Sequence, residues 1–577
     1  MVELLVVMVT MLLAICVSTL LGPRIGLAAP LLLVAIGVLA SLLPAFSGVT
    51  IEPEWILEGL LPPLLYSSAV SIPSMNFRRE LTAISGLSVV LVLATSLILG
   101  LFFMIVIPQV GFAWGVALGA IVSPTDAVAT SIVKQAPVSK RAIAILDGES
   151  LLNDATALVV LRTAIVATAA TFSFWGAVGT FAYSVVVAVL IGIVVGIANL
   201  AVRKRLTDST VNTVISFTVP FIAAVPAELL SASGLVAAVC AGLVTGYRAP
   251  RELSPQHRLS DSQNWRTVEL VLEGIVFLTM GLQIKGVVTK VQEEHSGIVL
   301  AVLIAVAALL ITLLVRAAYV APWLGILRRK QRRYEAMQPK FSGFQEKLST
   351  PDGRQEALER IQSRRDGKPG RRKRRSSRAD RVEKHAERDL QHAERDLDRF
   401  AVRIRRGLAD IDYFLREPMG WREGTIVVWA GMRGAVTVAA AQTLPIDTPH
   451  RAELVLIAYT IAALSLLLQG GTIGRLARRI SPPIDQAEVD DYEQSERKRL
   501  LEMMRDSGQD IPEPTLPEDA SHRERFEASR VHRLAVLDAQ RDALLDARED
   551  GVFDADILSR ELRDLDAAQL AIELRGT

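Results

Sequence analysis

The chain alternates between long apolar stretches and short polar segments, and thirteen of the apolar stretches are long enough to be membrane spans. A helix needs about twenty apolar residues to cross about 30 Å of hydrocarbon. The eighth and ninth stretches are separated only by a short Ser-Ala-Ser-Gly turn, so twelve spans is an alternative. The predicted spans cover residues 2–21, 25–46, 55–72, 81–107, 112–133, 142–168, 175–201, 211–230, 232–247, 267–284, 297–327, 421–444 and 453–475.

Basic residues between the spans support this count. Loops after odd-numbered spans are rich in Lys and Arg, for example Lys140 and Arg141, whereas loops after even-numbered spans hold only Lys285, Lys290 and Arg451. Cytoplasmic loops retain basic residues. The pattern predicts a plasma (inner) membrane protein with its N-terminus outside and its C-terminus in the cytoplasm. Removing one span would invert half of the pattern.

Composition limits the chemistry. The 577 residues are 51% hydrophobic, and the charges lie in blocks instead of being mixed along the chain. All seven histidines fall outside the spans, and the two cysteines fall inside apolar spans. This excludes a histidine proton relay and gives no basis for a disulfide framework or a thiolate metal site. We expect no resident cofactor, and the chemistry must rest on carboxylates.

Four regions follow from the pattern: a membrane domain in two parts, 1–327 and 421–480, a polar insertion at 328–420 and a polar tail at 481–577. The insertion carries 27 basic and 16 acidic residues, and its "RRDGKPGRRKRRSSR" run predicts local disorder. Its "HAERDLQHAERDL" repeat places Leu390 and Leu397 on one face of a short helix. The tail carries 13 basic and 25 acidic residues and predicts a helical hairpin around Gly551, typical of a regulatory module.

The opposite charges of insertion and tail have two interpretations. The two regions associate, or the insertion lies against anionic lipid; alternatively both are simply solvated. The basic run lacks interleaved aromatic residues, so we expect no nucleic-acid partner.

The "GESLLNDATALVV" segment of the sixth span contains two acidic residues, Glu149 and Asp154, at a depth where a carboxylate is costly and marks either an ion path or a structural pair. Asp154, Asn153 and Ser150 together offer the hard oxygen ligands that suit a small dehydrated cation. A proton and an alkali cation cannot both neutralise one carboxylate, which is sufficient chemistry for exchange. The alternative is that Asp154 only pairs with Arg162, two turns further along.

Two spans contain helix-breaking sequences. "SPTDAVAT" in the fifth has Pro124, which lacks a backbone donor, followed by the oxygen-bearing Thr125 and Asp126. "AGMRGAVT" in the twelfth has glycines on both sides of Arg433, which would compensate helix carbonyl ends or pair with Glu149. Matched interruptions indicate inverted repeats whose broken helices cross at the binding site. The fold class expected is therefore an all-α polytopic membrane protein with a cytosolic helical tail.

Three motifs, "SPTDAVA", "GESLLNDATAL" and "GMRGAVTVA", resemble those of the first branch of the cation:proton antiporter superfamily, which includes bacterial sodium/proton antiporters and animal sodium/proton exchangers. The resemblance covers roughly 1–327 and 421–480. It implies exchange of a monovalent cation for a proton, a role in pH homeostasis, and a homodimer in which a six-helix core moves in an elevator fashion.

By position, the resemblance makes Asp154 the ion- and proton-binding carboxylate, and Asn153 before it goes with electroneutral exchange. The other residues that it assigns are Thr125 and Asp126 at the unwound crossing, Ser150 as a ligand hydroxyl, and Glu149 with Arg433 as a core ion pair.

Two accessory positions bear on the choice of cation. Glu273 stands in place of an acidic residue of the family's tenth span, whereas Ser67 stands where many bacterial relatives have a carboxylate. We therefore expect Na⁺ at Asp154, with Li⁺ as a further substrate, and keep K⁺/H⁺ antiport as the alternative. More distant alternatives are a channel, a membrane sensor, or an intramembrane protease using Asp126 and Asp154.

Overall fold

The structure is a computed structural model that describes residues 2–25, 27–43, 52–169, 174–293, 297–366, 379–481, 486–509, 511–517 and 521–574. Its regular structure is helical, and the described residues contain no β-strand. The all-α prediction is therefore confirmed.

The helices follow one another in chain order. The first thirteen are α1 Val2–Ile25, α2 Ala29–Ser41, α3 Leu61–Ser71, α4 Ser74–Ser85, α5 Val92–Val106, α6 Gly111–Val122, α7 Val128–Val133, α8 Lys140–Ala169, α9 Phe174–Arg203, α10 Ser209–Leu229, α11 Gly234–Glu252, α12 Pro255–Glu293 and α13 Ile298–Ser349. The others are α14 Pro351–Asp366, α15 Ala379–Arg416, α16 Trp421–Trp429, α17 Ala435–Gln442, α18 Arg451–Ser465, α19 Gly471–Ile480, α20 Gln486–Gln509, α21 His522–Asp550 and α22 Ala555–Leu574.

Every predicted apolar stretch contains helix, and α10 and α11 are separate helices, as the eighth and ninth stretches require. Within the described residues, eight helical segments are long and apolar enough to cross a membrane. The chain is therefore a multi-pass membrane protein. The number of thirteen spans and their orientation stay predictions.

Three helix junctions are continuous π-helical turns, which the sequence did not predict. They lie at Trp55–Leu60 before α3, at Gly86–Leu91 between α4 and α5, and at Leu466–Gly470 between α18 and α19. A π turn accommodates one extra residue without breaking the helix, so the helix continues from one side of the turn to the other.

The chain divides into two compact units. Unit 1 consists of Met1–Leu324, Met419–Asp485 and Asp566–Thr577. Within it α2 packs on α12 so closely that a Cβ on Gly37 would lie 2.5 Å from the Leu278 carbonyl oxygen. Small residues allow such close approach of membrane helices, where apolar side chains gain little by leaving lipid.

Unit 2 consists of Gly325–Pro418 and Gln486–Leu565, and therefore joins the insertion to most of the tail. Its core is an apolar cluster formed by Leu500, Met504, Leu544, Ala547, Phe553, Ile557, Leu558 and Leu565. Arg405 and Arg406 of α15 form ion pairs with Asp550 of α21, at 3.4 Å and 3.2 Å. Of the interpretations left open by the sequence, direct contact between insertion and tail is present in unit 2.

The structure contains the helices predicted for the insertion and the tail, and α15 is longer than the short helix that the repeat predicted. The heptad repeat lies in α15, where Leu397 is 2% exposed. Helices α21 and α22 lie on either side of Gly551, whose φ of +70° is the left-handed conformation that glycine adopts easily at a helix end. Residues 367–378 of the basic run, with their predicted disorder, lie outside the described residues.

Candidate functional site at a helix crossing

The two helix-breaking motifs meet in unit 1. The chain leaves helical geometry at 123–127, between α6 and α7, and at 430–434, between α16 and α17. The Asp126 backbone N–H donates to the Met432 carbonyl oxygen at 2.8 Å, so the two unwound segments are joined directly. The prediction of two broken crossing helices is confirmed.

Gly434 provides the room for this crossing. A Cβ built on Gly434 would lie 1.4 Å from Oδ2 of Asp126, a distance that no side chain can occupy. The φ of Gly434 is −126°, which any residue adopts, so the requirement is space and not backbone freedom. The motif therefore needs glycine because the Asp126 carboxylate lies against its Cα.

Arg433 compensates carbonyl oxygens at the crossing. Its Nε donates to the Val122 carbonyl at 2.9 Å, Nη1 donates to the Gly431 carbonyl, and its backbone N–H donates to Ser465 Oγ at 2.8 Å. Val122 is the last residue of α6, where the carbonyls lack intrahelical partners and carry the negative end of the helix dipole. Of the two roles expected for Arg433, this is the one in the structure.

The alternative pairing of Arg433 with Glu149 was wrong, because Glu149 forms its ion pair with a different arginine. Arg316 of α13 binds both carboxylate oxygens of Glu149, with Nη2 to Oε2 at 2.7 Å, and each side chain is 2% exposed. Arg316 Nε also donates to the Val427 carbonyl at 2.9 Å. The sequence did contain a signal for this partner, since Arg316 is the one charged residue in the predicted span 297–327.

Thr125 and Asn153 extend this ion pair. Asn153 Nδ2 donates to Thr125 Oγ1, which donates to Glu149 Oε1 at 3.4 Å. Asn153 Oδ1 is buried without a hydrogen-bond partner in the described structure. A cavity of about 10 Å³, lined by Glu149, Asn153, Arg316 and Arg433 among others, adjoins the network and is about the size of one water molecule.

Asp154 lies apart from this network. Its side chain is 7% exposed, and within the described residues its carboxylate has neither a hydrogen bond nor an ion pair. The charge of Asp126 acts on it, and Oδ1 of Asp126 accepts from the Val128 N–H at 2.9 Å. Consecutive helix positions point about 100° apart, so Asn153 and Asp154 face different neighbours.

The remaining predicted residues take other partners. Ser150 Oγ donates to the Asp147 carbonyl of its own helix at 3.1 Å. Arg162 pairs with Glu228 at 2.6 Å, so the alternative of an Arg162–Asp154 pair was wrong. The geometric reason is that Arg162 reaches outward to α10, with its side chain 55% exposed, whereas Asp154 is buried.

The two accessory residues both lie near α12. Ser67 is 4% exposed, and its Oγ donates to Oε2 of Glu269 at 3.3 Å. Glu273 lies close enough to Asp126 and to Glu269 for their charges to interact. Sequence reasoning missed Glu269, although "VELVLEG" places two glutamates one helical turn apart.

Comparison with known proteins gives a consistent result. The profile of the family "Sodium/hydrogen exchanger, transmembrane" matches residues 8–337, which is more than half of the chain. The chain is 26% identical over 507 residues to an uncharacterised Na⁺/H⁺ exchanger of Mycobacterium tuberculosis, covering 85% of this chain and 77% of that protein.

Two further proteins resemble this chain, one over a shorter stretch and the other at a lower sequence identity. A Bacillus subtilis protein named as a sodium, potassium, lithium and rubidium/H⁺ antiporter is 30% identical over 278 residues, covering 46% of this chain and 41% of that protein. Among solved structures, the sodium proton antiporter MjNhaP1 from Methanocaldococcus jannaschii aligns with a TM-score of 0.53 at 14% identity, covering 83% of this chain and 99% of that one. At this identity the structural likeness shows a shared fold.

The family match, the crossing of two broken helices and the fold agree with one another. This chain belongs to the sodium/hydrogen exchanger family, whose members are membrane cation/proton antiporters of the cation:proton antiporter superfamily.

Proposed function

We propose that this protein exchanges Na⁺ for H⁺, one for one, at Asp154, with Li⁺ as a further substrate. The observation that carries the proposal is the Asp154 carboxylate, which is 7% exposed and has no hydrogen bond or ion pair within the described residues. A buried carboxylate without a partner is costly, so a bound cation or a bound proton stabilises it. Either one excludes the other, which couples the two fluxes.

Alternating access completes the mechanism that we propose. Broken helices that cross at the middle of an inverted-repeat transporter carry the site between the two sides of the membrane. In an elevator movement, Asp154 and the crossing would travel together. Because Asn153 is neutral, the site exchanges one charge for one charge.

The other oxygen ligands that we propose for the cation are those that the resemblance assigns, namely Asn153, Ser150, Thr125 and Asp126. The described residues contain no group of three or more His, Cys, Asp or Glu side chains placed to hold a metal ion. Alkali cations accept carbonyl, hydroxyl and water oxygens, so this ligand set is compatible with transient binding. K⁺/H⁺ antiport is the second candidate, favoured by the neutral Ser67 and by the range of cations in the name of the B. subtilis relative.

We also propose the setting in which exchange occurs. The distribution of basic residues supports an N-terminus outside and a cytoplasmic C-terminus in the plasma (inner) membrane. The superfamily resemblance supports a homodimer and a role in pH homeostasis. Crosslinking of the purified protein in lipid and accessibility labelling of each terminus test these two points.

A vesicle assay tests the exchange itself. Protein reconstituted into liposomes with an internal pH dye is given Na⁺, Li⁺ or K⁺, and dequenching reports proton movement. We expect Asp154→Asn to abolish exchange, because a neutral amide cannot alternate between a proton and a cation. Asp208→Asn is the matched control, since Asp208 lies outside the spans and only caps α10, as Asn also does.

The same assay separates the rival functions. Full exchange by Asp154→Asn would disprove the assignment, and proton flux without a counter-cation would favour a channel. A variant lacking residues 481–577 distinguishes a sensor from a transporter, because a transporter retains turnover after the deletion.

A further inference from the structure

Glu269 is an acidic residue inside a membrane helix that the exchange chemistry at Asp154 does not use. It lies in α12, one turn before Glu273, and both side chains are partly buried. Residues four apart stack on one helix face, so the two carboxylates follow one another along α12.

A buried hydroxyl fixes the orientation of Glu269. Ser67 of α3 is 4% exposed, and its Oγ donates to Glu269 Oε2 at 3.3 Å. Helices α3 and α12 pack against each other in unit 1, so this bond holds the carboxylate between them. A single neutral hydroxyl positions a carboxylate without cancelling its charge.

No direct ion pair neutralises Glu269 within the described residues. Lys134 and Arg266 are near enough for their charges to act on it. The Lys134 ammonium lies 2.9 Å from the Asp147 carboxylate, so its direct ion pair is with Asp147 and not with Glu269. Glu269 is therefore a partly buried carboxylate that a hydroxyl, and not a direct ion pair, holds in place.

The acidic groups form a series that ends at Asp154. Glu269 interacts with the charge of Glu273, Glu273 with that of Asp126, and Asp126 with that of Asp154. Glu269, Glu273 and Asp126 are partly buried, whereas Asp154 at the end of the series is 7% exposed. The inner end is the unpartnered carboxylate, which independently indicates a ligand there.

We propose that Glu269, oriented by Ser67, is a docking carboxylate for the monovalent cation on its approach to Asp154 and a determinant of cation affinity and selectivity. Neighbouring carboxylates repel one another, and a cation among them relieves that repulsion. Glu269 therefore attracts the cation before Asp154 binds it. This inference rests on the proposed exchange at Asp154 and adds an earlier step to it.

The test is the cation dependence of exchange in proteoliposomes. We expect Glu269→Gln to raise the KM for Na⁺ about tenfold, because one of the attracting charges is lost, while the maximal rate changes by less than about twofold. The ratio of the KM values for Na⁺, Li⁺ and K⁺ should also change. Glu269→Asp should restore much of the affinity, and Ser67→Ala should raise the KM by about threefold through loss of one hydrogen bond.

The matched control is Glu252→Gln, which makes the same chemical change in an ion pair with Arg248 at 3.2 Å at the end of α11. Its KM should equal that of the wild type. Glu269→Asp and Ser67→Ala decide the outcome if Glu269→Gln fails to give monodisperse protein.

The possible failures are distinguishable. If the wild type does not exchange cations, or if Asp154→Asn does, the proposed function is wrong. If the wild type exchanges, Asp154→Asn does not, and the Glu269 and Ser67 variants keep the wild-type KM and selectivity, only the role of Glu269 is wrong. Loss of maximal rate with unchanged KM would also overturn it, since that indicates a structural role.

Discussion

Arg316 and Arg433 are both buried in unit 1, yet they compensate different kinds of negative charge. Arg316 binds the Glu149 carboxylate through two nitrogens, whereas the Arg433 guanidinium donates to the carbonyl oxygens of Val122 and Gly431. A guanidinium has five donors in a planar fork, which suits both arrangements. The Glu149–Arg316 pair therefore contributes to the fold of the core, whereas the Asp154 carboxylate has no such partner within the described residues.

Residue-scale reasoning predicts that Glu149→Gln will destabilise the protein strongly. The change leaves the Arg316 charge buried and unpaired, which costs about 3–5 kcal/mol. Thermal unfolding of the detergent-solubilised protein, followed by size-exclusion fluorescence, measures the effect. Glu228→Gln is the matched control, because its pair with Arg162 has side chains 32% and 55% exposed and contributes at most about 1 kcal/mol.

Equal unfolding temperatures for these two variants would contradict the structural role of the Glu149–Arg316 pair. A double variant, Glu149→Gln with Arg316→Met, should recover part of the loss because it removes both charges.

At this scale the sequence predicted which residues lie near the crossing better than which side chains contact one another. Glu149, Thr125, Asn153 and Asp126 were identified from residue type and spacing, and all four lie at or beside the crossing. The partner of Glu149 was assigned incorrectly because Arg433 was the only arginine considered, although Arg316 also lies in an apolar span far away in the chain. Only the packing of α8 against its neighbours distinguishes Arg316 from Arg433.

At the scale of elements, the two broken helices were easier to predict from the sequence than the π-helical turns that join successive helices. Proline and glycine mark the two broken helices because each changes the backbone or the space beside it. The π-helical turns, such as Gly86–Leu91, were not predictable, since the helix continues through them and none of the three contains a proline. For the same reason the fourth span, predicted to begin at residue 81, belongs to a helical stretch that begins at Ser74.

The crossing gives an element-scale prediction. Gly434→Ala should reduce exchange by at least about tenfold, because the new Cβ must displace the Asp126 carboxylate, and a shift of about 1 Å at a reacting site is costly. Initial rates in proteoliposomes, normalised to inserted protein, measure the change.

Gly471→Ala provides the comparison, because a Cβ at Gly471 meets nothing within 4 Å. Its rate should match the wild type. If Gly434→Ala were equally active, the tight contact between Gly434 and Asp126 would not be a requirement of the transport cycle.

On the scale of the whole molecule, ion pairs and apolar packing make different contributions to unit 2. The excess of basic residues in the insertion and of acidic residues in the tail left their association open as one of the interpretations, and Arg405 and Arg406 with Asp550 are examples of such contact. The apolar cluster of unit 2 was not predictable, because its members come from α20, α21, α22 and the turn at Phe553, which are separated by polar segments. Exposed ion pairs contribute little each, so we expect the apolar cluster to dominate the stability of this unit.

Two adjacent leucines test this expectation. Leu500 is fully buried in the apolar cluster, whereas Leu501 is 43% exposed. Leu500→Ala should lower the free energy of unfolding of unit 2 by about 2–5 kcal/mol through loss of contacts and creation of a cavity. Limited proteolysis of the full-length protein should then cleave unit 2 faster, while Leu501→Ala should behave like the wild type. Equal cleavage rates for the two variants would show that the apolar cluster does not dominate the stability of unit 2.

The hydrogen bonds that join the two broken helices have one further consequence. The bonds from the Asp126 backbone to Met432 and from Arg433 to Val122 connect amide, carbonyl and guanidinium groups, none of which gains or loses a proton at physiological pH. A change of pH therefore leaves these two hydrogen bonds in place. In the exchange mechanism that we propose, acid or alkaline stress would change which ion Asp154 holds without breaking the backbone connection between the two broken helices.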